Sequence, residues 1–371
     1  PPLPSIPEPD HAGAGSEDVN RVHIVVIGGG VIGLSTALRL AEDGHRVVVH
    51  DPALGRGASW VAGGMLAPLS EGWPGEHELL HLGAASLARW PDFARRLPGP
   101  SVFSATGSVT VALDSADAAD LRTIAEWVGE QGHELEILGR AQLRELEPAL
   151  AQNIRLGLLA PTELSVDNRA LIAALEQGCL DAGVELVTTS VETMPDADQV
   201  VLAAGAQSAA LWPTLPVRPV KGEILRLRRR PSAAPPPSRT VRGTVHGRAI
   251  YLVPRGDGLV VGATQYESGQ DTQVTVAGVR DLIADAERLM PSIGEYELYE
   301  TAAGLRPMSP DGLPLIGRLS PRLIAATGHG RNGILLAPIT ADAVAALISG
   351  ETLPEAKAAT LERFTQIERT P

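Results

Sequence analysis

Residues 22–51, VHIVVIGGGVIGLSTALRLAEDGHRVVVHD, set the tightest limit on how this chain can fold. The apolar run at 22–27 reads as a buried strand, 31–43 as a helix ended by Gly44, and HRVVVHD at 45–51 as a second strand. Strand, helix and parallel strand make a βαβ unit, which commits this part of the chain to a parallel sheet covered by helices. Between the first strand and the helix lies Gly28-x-Gly30-x-x-Gly33. The first glycine permits a tight turn, the second lets a pyrophosphate approach the backbone, and the third lets helix and strand pack closely. The helix N-terminus offers free N–H groups and the positive end of a dipole to a phosphate. Asp51 closes the second strand 18 residues after Gly33, where a carboxylate accepts hydrogen bonds from a ribose 2′-hydroxyl and disfavours a 2′-phosphate. The pattern points to a dinucleotide, but its spacing alone does not separate FAD from NAD.

A second Gly-x-Gly-x-x-Gly, Gly328 to Gly333 in ATGHGRNGILLAP, also follows an apolar run. No acid-ended strand comes after it, and about 40 residues are too few for another complete nucleotide-binding unit. Composition narrows the rest. A chain of 371 residues is long enough for two domains. A net charge of −13 without a long basic run argues against a nucleic acid or an anionic membrane as partner. Cys179 is the only cysteine, so a disulfide framework and a cysteine-based zinc site are excluded. His45, His77, His81, His133 and His246 lack metal-ligand clustering and read as solvated, so no metal is expected. The longest uncharged apolar stretch, Ile24 to Leu38, falls short of the roughly 20 residues that span a bilayer. Residues 1–20 hold acids and prolines but no Lys or Arg; they read as a disordered leader rather than a secretory signal, and the chain as cytoplasmic.

Further along, ELLHLGAASLARWPDFARRL reads as an amphipathic helix with a proline bend, and SVTVALD and ELEIL as strands flanking a helix at 115–130. From Asp167 the chain reads helix (NRALIAALEQGCLDAG), strand (VELVTTSVE), then strand and tight turn (DQVVLAAGAQS). EILRLR, the Gly256-Asp257-Gly258 hairpin in AIYLVPRGDGLVVGATQ, and ELYETAAGLRP read as antiparallel strands. RLIAATG is a strand and TADAVAALISG a helix. The expected fold is therefore α/β: a Rossmann-like domain built from discontinuous segments, with an antiparallel-sheet domain inserted. The segments are 21–75, 150–215 and 300–365 for the nucleotide, and 76–149 and 216–299 for the substrate.

GRGASWVAGGMLAP at 55–68, VVLAAGAQS at 201–208, PMSPDGLPLIG at 307–317 and GHGRNGILLAP at 328–338 together resemble the flavin-dependent D-amino acid oxidase family. The last segment resembles its glycine oxidase branch, whose enzymes feed thiazole formation in thiamine synthesis. The resemblance covers about residues 20 to 360. It implies one FAD, held non-covalently and touched twice by the chain. The contacts it implies are Gly28, Gly30, Val31, Ile32 and Gly33 at the turn, Asp51 and Pro52 at the ribose, Val191 at the adenine, Ala58 with Ser59, and Gly205. Along the ring it implies Gly63, Gly64 and Met65, and at the flavin His329, Gly330, Arg331, Asn332, Gly333, Ile334 and Leu335. The C-terminal third holds no cysteine, so a covalent thioether cannot form there. Val260 stands where the sarcosine oxidase branch has a lysine.

The chemistry such an enzyme performs moves a hydride from the substrate α-carbon to the flavin, leaving the protein to hold the carboxylate and aim the C–H bond. A buried carboxylate asks for an arginine fork. By resemblance Arg306 is that arginine, Tyr251 a phenol beside the same carboxylate, and Arg331 a second substrate-side arginine. Ala249, Gln265 and Gly330 depart from the glycine oxidase pattern, where a histidine, a methionine and an aromatic residue are usual. All three border the expected substrate cavity, and the loss of the histidine and of the aromatic residue enlarges it. The expected activity is oxidative deamination of glycine or another small amino acid or amine, with dioxygen as acceptor, giving an imine, then an oxo acid and ammonia, and hydrogen peroxide. The glycine oxidases imply a homo-oligomer, tetrameric in that branch. Alternatives are a dehydrogenase passing electrons to a quinone or carrier, a D-amino acid or sarcosine oxidase of altered specificity, and a non-catalytic FAD-binding subunit.

Overall fold

The computed structural model describes residues 21–364, so the expectation for the first 20 residues lies outside the described part. Six strands form one sheet in the order Leu315–Ser320, Leu323–Thr327, Gln199–Leu202, His23–Ile27, Arg46–His50 and Glu185–Val187. All neighbours are parallel except the first pair. The chain leaves His23–Ile27 toward one side and returns later to pair with Gln199–Leu202 on the other. That reversal creates a crevice at the carboxyl ends of the strands.

The sheet is apolar on both faces because helices cover it. Val31–Glu42, Asn168–Asp181 and Ala337–Ile348 pack on one face around Ile24, Val26, Val47, Val49, Val201 and Ile324. Val25, Ile27, Val200, Leu202, Leu323 and Ala325 face a second cluster on the other side. Cys179 is fully buried against the first helix, and burial pushes its thiol up to about 12, an inert setting.

Nine further strands make a mixed sheet in the order Glu297–Met308, Arg218–Arg228, Gly258–Gly262, Arg248–Arg255, Thr240–Val245, Phe103–Ala112, Leu156–Val166 and Met65–Leu66, with Glu136–Leu138 pairing on Leu156–Val166. Leu225, Leu227, Val241, Leu252, Leu259 and Val261 point to one face and pack on the helix Val276–Leu289 through Leu282, Ala286 and Leu289. The alternate residues face the other way, toward the crevice.

The expected fold class holds, and the secondary-structure expectations differ in places. The helix 115–130 has those bounds, and the proline-bearing helix runs His77–Arg96 with Pro91 inside it. VELVTTSVE keeps only Glu185–Val187 as strand. Leu156–Val166, Met65–Leu66 and all of Glu297–Met308 pair in the larger sheet, so segment borders at 150 and 300 do not follow the strand pairing. Among the described residues no helix is long and apolar enough to cross a membrane.

The C-terminal segment is fixed from inside. His329 is buried, and its Nε2 lies 3.0 Å from Thr340 Oγ1. Burial lowers its pKa to about 3, so the imidazole is neutral. The unfolded chain therefore takes up this proton first. The contribution of neutral His329 to stability is intact above pH about 6.5 and is lost as pH falls toward 3, by about 1.4 kcal/mol per pH unit. Chemical denaturation at stepped pH should give a steeper acid-side loss for the wild type than for His329→Gln. Equal slopes would remove His329 from that loss. At the glycine turn, a Cβ on Gly33 would stand 1.8 Å from Gly28 O. Gly33→Ala should cost about 1–3 kcal/mol in the same assay, because two backbones must part to admit it.

Candidate active site

Three chain segments meet at the head of the six-stranded sheet. In the first, Gly28 N–H donates to His50 O at 2.9 Å, and a Cβ on Gly28 would lie 2.3 Å from Ala203 O. Gly30 is different: an added Cβ would find only Ser59 Oγ, at 3.2 Å, within 4 Å. The turn is thus closed at Gly28 and Gly33 and open at Gly30, the cradle a pyrophosphate needs over a helix N-terminus. In the second segment, Asp51 Oδ2 accepts from Gly29 N–H at 2.6 Å and Oδ1 from Ala53 N–H at 2.7 Å. Ser59 Oγ accepts from Val31 N–H at 3.0 Å. In the third, Thr327 Oγ1 donates to Gly205 O at 3.1 Å, tying the last parallel strand to the turn after Gln199–Leu202. Pro52 is exposed beside Asp51, and Val191 packs on the outer apolar cluster of the sheet.

The segment carrying Ala58, Ser59, Gly63, Gly64 and Met65 runs between the two sheets and is pinned from the larger one. Arg226 Nη2 donates to Asn168 Oδ1 at 3.1 Å, and Asn168 Nδ2 donates to Ser59 O at 2.8 Å and Trp60 O at 2.9 Å. Arg255 donates to Gly63 O at 2.6 Å, Val166 O at 2.7 Å and Ser104 Oγ at 2.9 Å. Burial lowers the pKa of Arg255 to about 10, which leaves it charged at neutral pH. A relay of buried polar groups therefore joins the larger sheet to the glycine turn. Among the described residues, Arg226 Nε and Arg255 Nε have no hydrogen-bond acceptor.

Arg306 and Tyr251 lie on the crevice face of the larger sheet. A Cβ on Gly222 would stand 2.4 Å from Arg306 Nη2, so the guanidinium rests on a strand position that only glycine leaves empty. Arg306 Nη1 donates to Thr264 O at 3.1 Å. Tyr251 is packed between Gly63 and Gly262, where an added Cβ would lie 2.8 Å and 2.3 Å from it. Burial raises the Tyr251 pKa, opposed by the charge of Arg306, and the phenol stays protonated. Burial lowers that of Arg306, helped by the like charge of Arg331 and opposed by Tyr251 and Glu71. Val61, Ile224, Val253 and Val260 floor this part of the face. A guanidinium, a phenol and an apolar floor suit a small molecule with one anionic end.

The remaining sequence-derived residues are spread along the rim. Ala249 is exposed on the same strand as Tyr251, two residues away and hence on its face. Gln265 is exposed, next to the carbonyl that takes Arg306. Gly330 abuts Met308, whose sulfur would stand 3.0 Å from an added Cβ. Arg331 is exposed and its Nε lies 2.9 Å from Glu71 Oε2. Ser86 Oγ and Trp90 Nε1 both donate to Leu335 O, at 2.6 and 2.9 Å, and so fix the run Asn332–Leu335 against the His77–Arg96 helix. The side chain of His329 turns inward, so this residue offers the crevice its backbone.

Several residues of the site escape a reading of the sequence: Glu71, Arg242, Arg226, Arg255, Asn168 and Gly222. The signal of Gly222, Arg226, Arg242 and Arg255 is a glycine or a charge inside an otherwise apolar strand, which marks a close approach or a buried pair; Asn168 opens a helix and lacks it. Glu71 lies in a loop and gives no such signal.

Comparison with known proteins agrees with this geometry. A family described as FAD-dependent oxidoreductase (DAO) matches residues 23–347. The bifunctional protein ThiO/ThiG of Nostoc sp. is 35% identical over 348 residues, covering 88% of this chain and 52% of that protein, so the chain spans about half the length of such relatives. The putative thiamine biosynthesis oxidoreductase ThiO of Rhizobium etli is 35% identical over 346 residues, 91% of this chain and 100% of that protein. The crystal structure of glycine oxidase from Geobacillus kaustophilus superposes with a TM-score of 0.85 at 31% identity, covering 93% of this chain and 99% of that one. With the closed-and-open glycine turn, the aspartate-ended strand and the family match in agreement, the chain belongs to the FAD-dependent oxidoreductase (DAO) family, and its cofactor is FAD.

Proposed function

We propose that this chain is an FAD-dependent oxidase of glycine or another small amino acid or amine, acting in the thiazole branch of thiamine synthesis. The observation that carries the reading is Arg306 resting on Gly222 beside the Tyr251 phenol, on the sheet face that looks toward the glycine turn. Relatives named glycine oxidase and ThiO support the substrate class and the pathway.

In this reading Arg306 takes the substrate carboxylate, and its fork orients the molecule bidentately. Tyr251, kept protonated by burial, donates to the same carboxylate. Gly63 and Gly262 hold the phenol in place, so that little ordering remains to be done on binding. Val61, Ile224, Val253 and Val260 exclude water from the substrate's apolar side. The substrate amine arrives neutral, and no side-chain base is required. FAD, when bound, supplies the hydride acceptor and returns the electrons to dioxygen as hydrogen peroxide. The imine then takes up water, giving an oxo acid and ammonia. Ala249, Gln265 and Gly330 border the pocket, and the small residues at 249 and 330 leave room for a substrate larger than glycine.

Anaerobic mixing of the yellow holoenzyme with glycine, sarcosine, or D- and L-alanine tests the reading. Bleaching that reverses quickly in air is expected; colour that stays lost in air would indicate a dehydrogenase, and no bleaching by any of them would refute the amino-acid assignment. Arg306→Ala should raise KM for the best substrate at least ~100-fold, since a buried carboxylate loses its charged partner. An unchanged KM would remove Arg306 from the site. Gly222→Ala should lower kcat/KM about ten-fold with a nearly unchanged melting temperature, because the atoms nearest the added methyl all belong to the movable end of Arg306. Equal losses of stability and activity would instead point to strand damage.

A further inference from the structure

Glu71 is a carboxylate beside a site built for a carboxylate, and the reaction as derived above does not use it. Its side chain is only 13% exposed. Each of its oxygens is taken by a different arginine: Oε1 lies 2.8 Å from Arg242 Nη2, and Oε2 lies 2.9 Å from Arg331 Nε. Burial pushes the Glu71 pKa up, but Arg242 and Arg331, with Arg306 nearby, outweigh it and hold the group ionised.

The two arginines come from different parts of the fold. Arg242 sits on the strand Thr240–Val245 directly across from Tyr251 in register, and its Nη1 also donates to Ser70 Oγ at 3.0 Å. Behind Ser70, the fully buried Glu163 accepts from Leu69 N–H, Ser70 N–H and the Ser70 and Ser108 hydroxyls; burial raises its pKa. Arg331 comes from the C-terminal glycine turn. The pocket therefore gathers three guanidinium groups, Arg306, Arg242 and Arg331, around one internal carboxylate. Two of them are engaged by that carboxylate, while Arg306 makes its hydrogen bond to a backbone carbonyl.

We propose that Glu71 is a specificity-determining residue: by occupying Arg242 and Arg331 it restricts the pocket to substrates with one carboxylate and disfavours those with two. This rests on the amino-acid oxidase reading. A second substrate carboxylate would have to displace Glu71 from both arginines and then lie beside it, a like-charge contact in a poorly solvated place. A neutral side chain at position 71 would leave two guanidinium groups without their counter-charge, and a second carboxylate would restore it.

The test uses the holoenzyme, with acetate and malonate as non-reacting ligands followed by the perturbation of flavin absorbance, and glycine and iminodiacetate as substrates. Wild-type protein should bind malonate no more than three-fold tighter than acetate. Glu71→Gln should tighten malonate at least ten-fold while acetate moves less than three-fold, and the KM of iminodiacetate should fall relative to that of glycine by a similar factor. Glu71→Asp, which keeps the charge, should retain the wild-type preference. Equal shifts for both ligands in Glu71→Gln, or no shift, would reduce Glu71 to a packing role and overturn the proposal. Should the glutamine variant fail to hold FAD, the wild-type measurement still decides, since malonate binding ten-fold tighter than acetate would overturn the proposal without any variant. Wild-type holoenzyme that binds acetate and is bleached by glycine keeps the oxidase reading whatever Glu71 does; one that does neither removes both.

Discussion

At the head of the parallel sheet three backbones pass within contact distance of one another, and the rest of the molecule is arranged around that crossing. Gly33 packs on the carbonyl of Gly28, and Gly28 packs on the carbonyl of Ala203, at distances where any β-carbon would collide. The crossing joins the first βαβ unit to a strand that comes more than 170 residues later in the chain. It fixes the crevice at the carboxyl end of the sheet, and Gly30 keeps the mouth of that crevice open. Asp51 and Ser59 each accept a backbone N–H of this turn, so the side chains that flank it also hold its shape.

Desolvation is the opposing cost, and the larger sheet carries most of it. Arg226, Arg255, Arg306 and Arg242 all face the crevice from alternate strand positions, where burying a lone guanidinium would be destabilising. Two of them are spent on the cofactor-side loop: Arg255 on backbone carbonyls at 63 and 166, and Arg226 on Asn168. Arg242 is balanced by Glu71. Arg306 differs from these three, because its guanidinium lies over a glycine and donates to a lone backbone carbonyl. The same residue type thus divides into three that hold the framework and one whose fork is engaged by a single backbone carbonyl, and the difference lies in what each fork already touches.

Much of this was legible in the sequence where the signal is local. The βαβ unit, the 115–130 helix and the Gly256-Asp257-Gly258 hairpin follow from periodicity and turn chemistry, which act within a few residues. Leu156–Val166 was hidden by Pro161, which normally argues against a strand interior; it is tolerated because it sits at a register shift opposite Gly107. The helix Val276–Leu289 carries a readable spacing in Val279, Leu282, Ile283, Ala286 and Leu289, with Thr275 as its cap, yet an exposed Val276 blurs its start. In the candidate site, Arg306 and Tyr251 were singled out through likeness to a family. Glu71 and Arg242 were not, because their meaning lies in an ion pair between residues 171 positions apart. No window along the chain contains it.

The two Gly-x-Gly-x-x-Gly segments carry the same argument further. Their spacing is identical, but their steric roles are not. In the first, the third glycine is required by a carbonyl 1.8 Å from its missing β-carbon, and the helix begins at once, at Val31. In the second, Gly333 would meet only His329 Cβ, at 3.8 Å, and the helix waits until Ala337. Gly328 and Gly330 are needed there for their positive φ of 73° and 56°, which turn the chain away from the strand Leu323–Thr327. That turn sends the His329 side chain into the core and the Arg331 side chain out to Glu71. One spacing therefore builds an open cradle over a helix N-terminus in one place and, in the other, carries a guanidinium to Glu71. The deciding factor is how closely another backbone approaches the third glycine.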